Sequence, residues 1–231
     1  MKTTSNHARP DWLMIEPEAG YHAKTHRGEF LSSGLLKEAL RGGRFAYQAK
    51  LTAYGAGETF DSRAFRIGRL VHAATLEGYE AYERELVRQG YAGTTMTDQQ
   101  LARMSAELVH ADRLAGSLLA DGWAEGVVET TLHGLPCHAR IDWFNPYAGI
   151  VDLKTTRSLD TFEADMIRYG YLHQLAFYRA LVEVVIGIAV PCKIIAIEKS
   201  VYPRVKVYNI DPARIDAAAA ENTRAIKELV A

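Results

Sequence analysis

Residues 127 to 154 constrain the fold more than any other stretch of this chain. Three short runs there have strand character: Val127 to Leu132, Cys137 to Phe144 and Ile150 to Lys154. Turn signals divide them, His133-Gly134 in the first gap and Asn145-Pro146-Tyr147-Ala148-Gly149 in the second. Connections this short leave no room for a crossover helix, so the three runs must pair as an antiparallel meander.

Helical signals flank the meander. Ser32 and Ser33 precede Leu35-Leu36-Lys37-Glu38-Ala39-Leu40, which predicts a helix starting near Ser33 and ending at Gly42-Gly43. A second helix is expected from about Ser62 to Leu76, stopping at Gly78. Thr97-Asp98-Gln99-Gln100 has capping-box spacing and predicts a helix to about Ala120, with Leu101, Met104, Leu108 and Ala111 on one stripe. Beyond the meander a helix is expected from Leu172 to Ile186, then strands at Lys193 to Glu198 and Arg204 to Ile210. A last helix is capped by Asp211 with Pro212 at its first position. The simplest architecture for this order is α/β, one domain over 1–231 with a central mixed sheet flanked by helices. Its N-terminal helical part would span about 30–120 and its sheet core about 124–210.

The bulk properties suit such a domain. The chain has 231 residues, 48% hydrophobic and 24% charged, enough for a sizeable core. No apolar run approaches the roughly 20 residues that span a bilayer, and Met1 to Pro10 is polar, so neither a membrane partner nor a signal peptide is expected. Cys137 and Cys192 are the two cysteines. Two thiols cannot build a cysteine-ligated zinc or iron–sulfur site, and their scarcity points to a reducing cytoplasm. The net charge is −1, yet from Lys24 to His72 nine Lys/Arg face four acids. Such a segment either lines a groove for phosphates or is a solvated surface.

The chemistry concentrates in Arg140-Ile141-Asp142 and, nine residues on, Asp152-Leu153-Lys154. Strand alternation puts Arg140 and Asp142 on one face and Asp152 and Lys154 together on the next strand. A tight turn between them brings both carboxylates to one end of the sheet, the donor type a hard cation such as Mg²⁺ requires. The Leu153 carbonyl is a further oxygen, and Lys154 would orient water or stabilise charge at a phosphate. Asp/Lys pairing on an exposed strand gives the same spacing. His72, in Gly68-Arg69-Leu70-Val71-His72, offers a nitrogen ligand or is an ordinary helix histidine. Glu129 is either the carboxylate of a second metal or a surface residue. Gln174 and Tyr178 stand i, i+4 on one helix face and suit a phosphate oxygen, a water or a base edge; Arg168 and His173 lie close by.

In chain order, Gly68 to His72, Arg140-Ile141-Asp142, Asp152-Leu153-Lys154-Thr155-Thr156 and Gln174 to Tyr178 resemble the GxxxH, D, DxK and QxxxY elements of the PD-(D/E)XK nucleases. Within that superfamily the likeness is to the RecB-like and RecE-like, lambda-type recombination exonucleases, whose opening S-x-L segment resembles Leu31 to Lys37. Ile141 stands where the superfamily usually has Pro. The resemblance implies a restriction-endonuclease-like fold with His72, Asp142, Asp152 and the Leu153 carbonyl as ligands for one or two Mg²⁺ ions, Mn²⁺ substituting. It implies Asp142, Asp152, Lys154, Gln174 and Glu129 as catalytic residues. Two cysteines exclude its iron–sulfur branch, and the lack of a GxxxxGKS/T loop implies a nuclease without a helicase.

The implied activity is 5′→3′ digestion of linear duplex DNA to mononucleotides, leaving 3′ overhangs for single-strand-annealing recombination. An endonuclease and an inactive DNA-binding module of the same fold are the alternatives. The implied partners are DNA ends, an annealing protein and further copies of the chain in a ring, with a trimer favoured, inside a bacterial cell as a phage or prophage product. A 5′-phosphate would meet the helix start near Ser33, with Arg27, Ser32, Ser33, Arg140 and Tyr178 touching DNA; a plain N-cap is the other reading of Ser32 and Ser33.

Overall fold

The computed structural model describes residues 7–58, 61–90 and 94–231. The first six residues of the polar start therefore lie outside the described residues. The helices before the sheet are α1 (Glu18–His26), α2 (Ser33–Gly55), α3 (Arg63–His72), α4 (Tyr79–Gln89), α5 (Met96–Ala111) and α6 (Arg113–Leu118). Strands β1 (Trp123–Leu132), β2 (Leu135–Asn145) and β3 (Gly149–Thr156) follow. Helices α7 (Phe162–Arg168) and α8 (Tyr171–Ile186) then lead to β4 (Cys192–Glu198), β5 (Val205–Asn209) and α9 (Pro212–Val230).

Among the described residues the strands form one five-stranded sheet in the order β1-β2-β3-β4-β5. β1, β2 and β3 are the expected antiparallel meander, β4 runs parallel to β3, and β5 returns antiparallel. The α7–α8 crossover is what a parallel β3–β4 neighbour demands. One core packs α2, α8 and α9 on one face, through residues such as Leu35, Leu36, Leu181, Ile194 and Ile226. The other packs α3 to α6 on the opposite face through Leu70, Val71, Tyr82, Val109, Trp143, Leu153 and Ile195. Fully buried aliphatic and aromatic side chains each contribute roughly 1.5–3 kcal/mol by leaving water. Both faces being covered explains why the centre of β4, Ile194 to Ile197, reads as a continuous apolar run.

Local chemistry sets the ends of these elements. Asn145 Oδ1 accepts hydrogen bonds from the N–H groups of Tyr147 and Ala148, each at 2.8 Å, and so closes the β2–β3 turn. Gly149 completes it at φ 79°, where a β-carbon would lie 2.3 Å from the Pro191 carbonyl oxygen. Asp211 Oδ1 caps α9 as expected, with Pro212 in its first turn.

Three sequence expectations are corrected. Gly42-Gly43 does not end α2. The two residues leave helical geometry (Gly43 φ 62°), kink the helix and let it resume to Gly55. The second half is held by Tyr47, Leu51 and Tyr54 packed against the core, and Arg44 Nη2 donates to the Glu228 and Leu229 carbonyls at the end of α9. The capping box starts at Thr95, not Thr97, with Asp98 as its reciprocal partner. The helix breaks at Asp112, whose carboxylate caps α6 instead. Its buried stripe is consequently Asp98, Ala102, Ser105 and Val109, while Met104 and Leu108 face solvent.

Candidate active site

The site sits where β2 and β3 part. Their ladder pairs Asn145 with Gly149, Phe144 with Ile150 and Trp143 with Val151, and it stops there. One step further Asp142 Oδ2 accepts the Leu153 N–H at 2.8 Å, so a carboxylate takes the place of a strand carbonyl. The strands splay, and both acids face the gap. Asp142 and Asp152 are 9% and 1% exposed. Lys154 Nζ lies 2.6 Å from Asp152 Oδ2 and 3.9 Å from Asp142 Oδ2, joining the two strands by charge.

Helix α3 brings His72 to the same point. Gly68 faces β3, where a β-carbon would make ordinary contact with Thr155 Oγ1 at 3.8 Å. After His72 the helix widens into a π-turn (Ala73–Glu77) that ends at Gly78, φ 91°. His72 Nε2 is 2.7 Å from the Leu153 carbonyl oxygen and donates to it. Nδ1 therefore faces Asp142 Oδ2 at 3.7 Å and Glu125 Oε1 at 3.9 Å. A backbone carbonyl that fixes one imidazole nitrogen while the other faces carboxylates is how metal-binding histidines are commonly oriented.

Glu125 is the residue that sequence reasoning missed. It falls between the β1–β2 pairs Ala124–Trp143 and Gly126–Ile141, hence opposite Asp142. Its φ of 53° lies in the left-handed region that few non-glycine residues adopt. Arg140 holds it, Nε to Oε2 at 2.6 Å. His72, Glu125 and Asp142 each offer a ligand atom, and these atoms lie within 4.8 Å of one another. Two carboxylates and an imidazole nitrogen, with Asp152 just behind, form a donor set that fits a divalent cation.

The electrostatics agree. Burial pushes the Asp152 carboxyl above the usual carboxylate range, Lys154 opposing and Asp142 adding to the shift. For Lys154 burial disfavours the charge, but Asp152 and Asp142 outweigh it and hold the ammonium above its usual range. Burial likewise works against charge on His72, and Asp142 and Glu125 outweigh it to raise the imidazole to about 9. The carboxylates thus hold Lys154 and His72 in their charged forms, and the same acidic cluster would favour a bound cation in place of the His72 proton.

Gln174 on α8 closes the far side. Its Nε2 donates to Asp152 Oδ1 at 3.3 Å and to the Tyr178 hydroxyl at 2.9 Å, while Oε1 accepts from Lys37 Nζ at 2.9 Å. Tyr178 also lies 3.5 Å from Ser33 Oγ, tying α8 to the start of α2. Above these residues opens a cavity of about 1370 Å³, with Lys37, Arg41, Arg69 and Arg157 in its wall.

The chain from 32 to 231 matches the model of a PDDEXK-like domain family of unknown function. It belongs to that family. No curated protein matches it. A crystal structure of a candidate exonuclease from Eubacterium rectale superposes with a TM-score of 0.76 at 18% identity, covering 94% of this chain and 86% of that one. That likeness shows the fold, which is restriction-endonuclease-like. A second solved structure, of SSO0001, covers 82% of this chain and 83% of that one at 19% identity, but its TM-score of 0.32 is too low to inform the fold. The family assignment supports nuclease chemistry and a divalent metal.

Set against the sequence expectations, His72, Asp142, Asp152, Leu153, Lys154, Gln174 and Tyr178 are brought together. Glu129 is not: it pairs with Lys24 at 2.6 Å, further along β1. Arg27 pairs at the surface with Glu29 and is not in the cavity wall. Ser32 and Ser33 both line the cavity, although Ser32 is largely buried and its Oγ caps α2, accepting from Leu35 N at 3.4 Å. Arg140 lines the cavity as well but is engaged with Glu125. His173 points away to Glu221. Both cysteines are buried and unpaired. Among the described residues no helix is long and apolar enough to cross a membrane.

Proposed function

We propose that this chain is a Mg²⁺-dependent deoxyribonuclease, with Mn²⁺ as substitute, that digests linear duplex DNA from its ends. One observation carries the reading: His72, Glu125, Asp142, Asp152, Lys154 and Gln174, from five separate elements, converge on the splayed end of β2 and β3. A structural sheet end has no need of three carboxylates in one buried gap, since burying them together costs free energy.

His72 Nδ1, Glu125, Asp142 and Asp152 are the residues that would hold the metal. A bound divalent cation neutralises charge on the scissile phosphate and activates water. The chain's own groups do the rest. Asp142 is fixed by the Leu153 N–H, and Asp152 by Gln174 and Lys154. Lys154 stays protonated across neutral pH beside Asp152, so its part is to stabilise charge building on the phosphate oxygens. Gln174 keeps the Asp152 carboxylate from rotating, and its amide can hold a water or a phosphate oxygen. Arg140 holds Glu125 toward the gap.

The 5′→3′ direction, the product 3′ overhang, the ring of copies and the annealing partner rest on the resemblance to recombination exonucleases. Incubating linear and closed-circular duplex DNA with the protein and Mg²⁺ tests the reading. Loss of the linear form with the circle intact is expected. Cutting of circles would favour the endonuclease alternative, and binding without any cleavage the inactive module.

A further inference from the structure

Lys37 is a half-buried cation in the wall of the cavity that the site described above does not use as a ligand or catalyst. It stands on α2 one turn after Ser33, and both line the cavity. Its stem lies along Gly170, where a β-carbon would meet Cγ, Cδ and Cε at 3.7 Å. Nζ donates to the Gln174 carbonyl oxygen at 2.9 Å and sits 5.6 Å from the Tyr171 ring centroid. Lys154 Nζ lies 5.2 Å from that same ring. Two ammoniums therefore share one aromatic platform at the mouth of the metal gap. Lys154 has its carboxylates; among the described residues Lys37 has none, only a neutral amide and a ring.

An ammonium drawn even partly out of water without a counter-ion is costly. Burial, and next the repulsion from Lys154, bring Lys37 down to about 8. Lys37 lines the cavity beside Gln174, whose amide nitrogen donates in turn to Asp152. The missing partner is an anion, and a phosphate of the nucleic-acid strand is the anion this cavity would receive.

We infer that Lys37 is a phosphate-binding residue, contacting a phosphate oxygen of the strand that enters the site while its bond to Gln174 orients that amide toward Asp152. This rests on the nucleic-acid substrate proposed above, though not on cleavage. The test uses the full chain and a fluorescent linear duplex in Ca²⁺, with binding read by anisotropy over a range of salt. Wild type, Lys37→Gln and Lys37→Arg are compared, each checked for an unchanged melting curve.

Lys37→Gln is expected to lose on the order of tenfold in affinity. Its slope of log K against log salt should be shallower by about 0.7–0.9, the contribution of one phosphate contact. Lys37→Arg, keeping the charge, should restore the slope. A purely structural lysine would leave the slope alone, so an unchanged slope in a folded Lys37→Gln protein overturns the inference, as does failure of any duplex to bind wild type. If wild type shows the Lys37-dependent slope yet cleaves nothing in Mg²⁺ or Mn²⁺, the phosphate contact stands and the nuclease reading falls. If wild type cleaves and the Lys37→Gln slope is unaltered, the nuclease reading stands and the phosphate contact falls.

Discussion

Acid should destabilise this protein through His138, a buried residue on β2. Its ring is stacked between Tyr21 (centroids 4.0 Å apart, interplanar 22°) and Phe30 (4.9 Å, 13°), and its Nε2 is 2.6 Å from Thr25 Oγ1. Nδ1 is buried with no hydrogen-bond partner, so a second proton would find no acceptor. Burial, then the charges of Lys24 and His22, lower this imidazole to about 4 from 6.5. Above pH 6.5 folded and unfolded forms are both neutral and the group has no effect. As pH falls through the window from 6.5 to 4 the unfolded chain takes up a proton that the folded one refuses, and stability drops. At pH 5 the loss is about 2 kcal/mol, approaching about 3 kcal/mol below pH 4. In a chain of this size about 2 kcal/mol lowers Tm by roughly 4–8 °C. Urea unfolding followed by tryptophan fluorescence at pH 7, 6 and 5, for wild type and His138→Phe, isolates the effect, because phenylalanine keeps the stack and cannot titrate. The difference in pH dependence between the two proteins should be about 2 kcal/mol. Equal slopes would refute the reasoning.

Other perturbations have separate outcomes. Asp152→Ala and Lys154→Ala should each abolish cleavage while duplex binding in Ca²⁺ persists; unchanged turnover in either removes them from the chemistry. Glu125→Gln should weaken Mn²⁺ binding measured by calorimetry by about 10- to 100-fold, as loss of a charged ligand or its support does, whereas Glu129→Gln should leave it as in wild type. Gly149→Ala combines a φ of 79° with a clash against the Pro191 carbonyl, and on the order of 2–4 kcal/mol should be lost in chemical denaturation. Arg27→Ala should not alter the preference between 5′-phosphate and 5′-hydroxyl ends, since its partner is Glu29 and not the cavity.

The elements read correctly from sequence are those with a local cause. The meander follows from its turn residues, α9 from Asp211-Pro212, and the Asp142, Asp152 and Lys154 cluster from strand alternation across a short turn. The errors arise where a side chain some distance away decides. Gly42-Gly43 carries every mark of a helix stop, but packing of Tyr47, Leu51 and Tyr54 against the core, with Arg44 bonded to the end of α9, accompanies its continuation. Nothing in the 97–120 stretch distinguishes a break at Asp112 from a solvated helix aspartate until packing of α6 is known.

Glu129 in place of Glu125 is the instructive error, because the two are indistinguishable by alternation alone. Four residues apart on one strand, they share a face, so a period of two admits both. Only register separates them, and the hairpin fixes it: a two-residue turn at His133-Gly134 pairs Leu132 with Leu135. Counting back from that pair puts Glu129 opposite His138, while Glu125 falls opposite Asp142. The hairpin register, carried upstream of Val127, therefore distinguishes the two acids from sequence alone. What the sequence could not supply is the left-handed backbone at Glu125 or the Arg140 bond that holds it, since both depend on β1 already being laid against β2. The acidic gap is accordingly specified in two stages. Turn chemistry chooses which acids face each other, and the parting of β2 from β3 at Asp142, where a carboxylate replaces a backbone acceptor, gives them room to bind a cation.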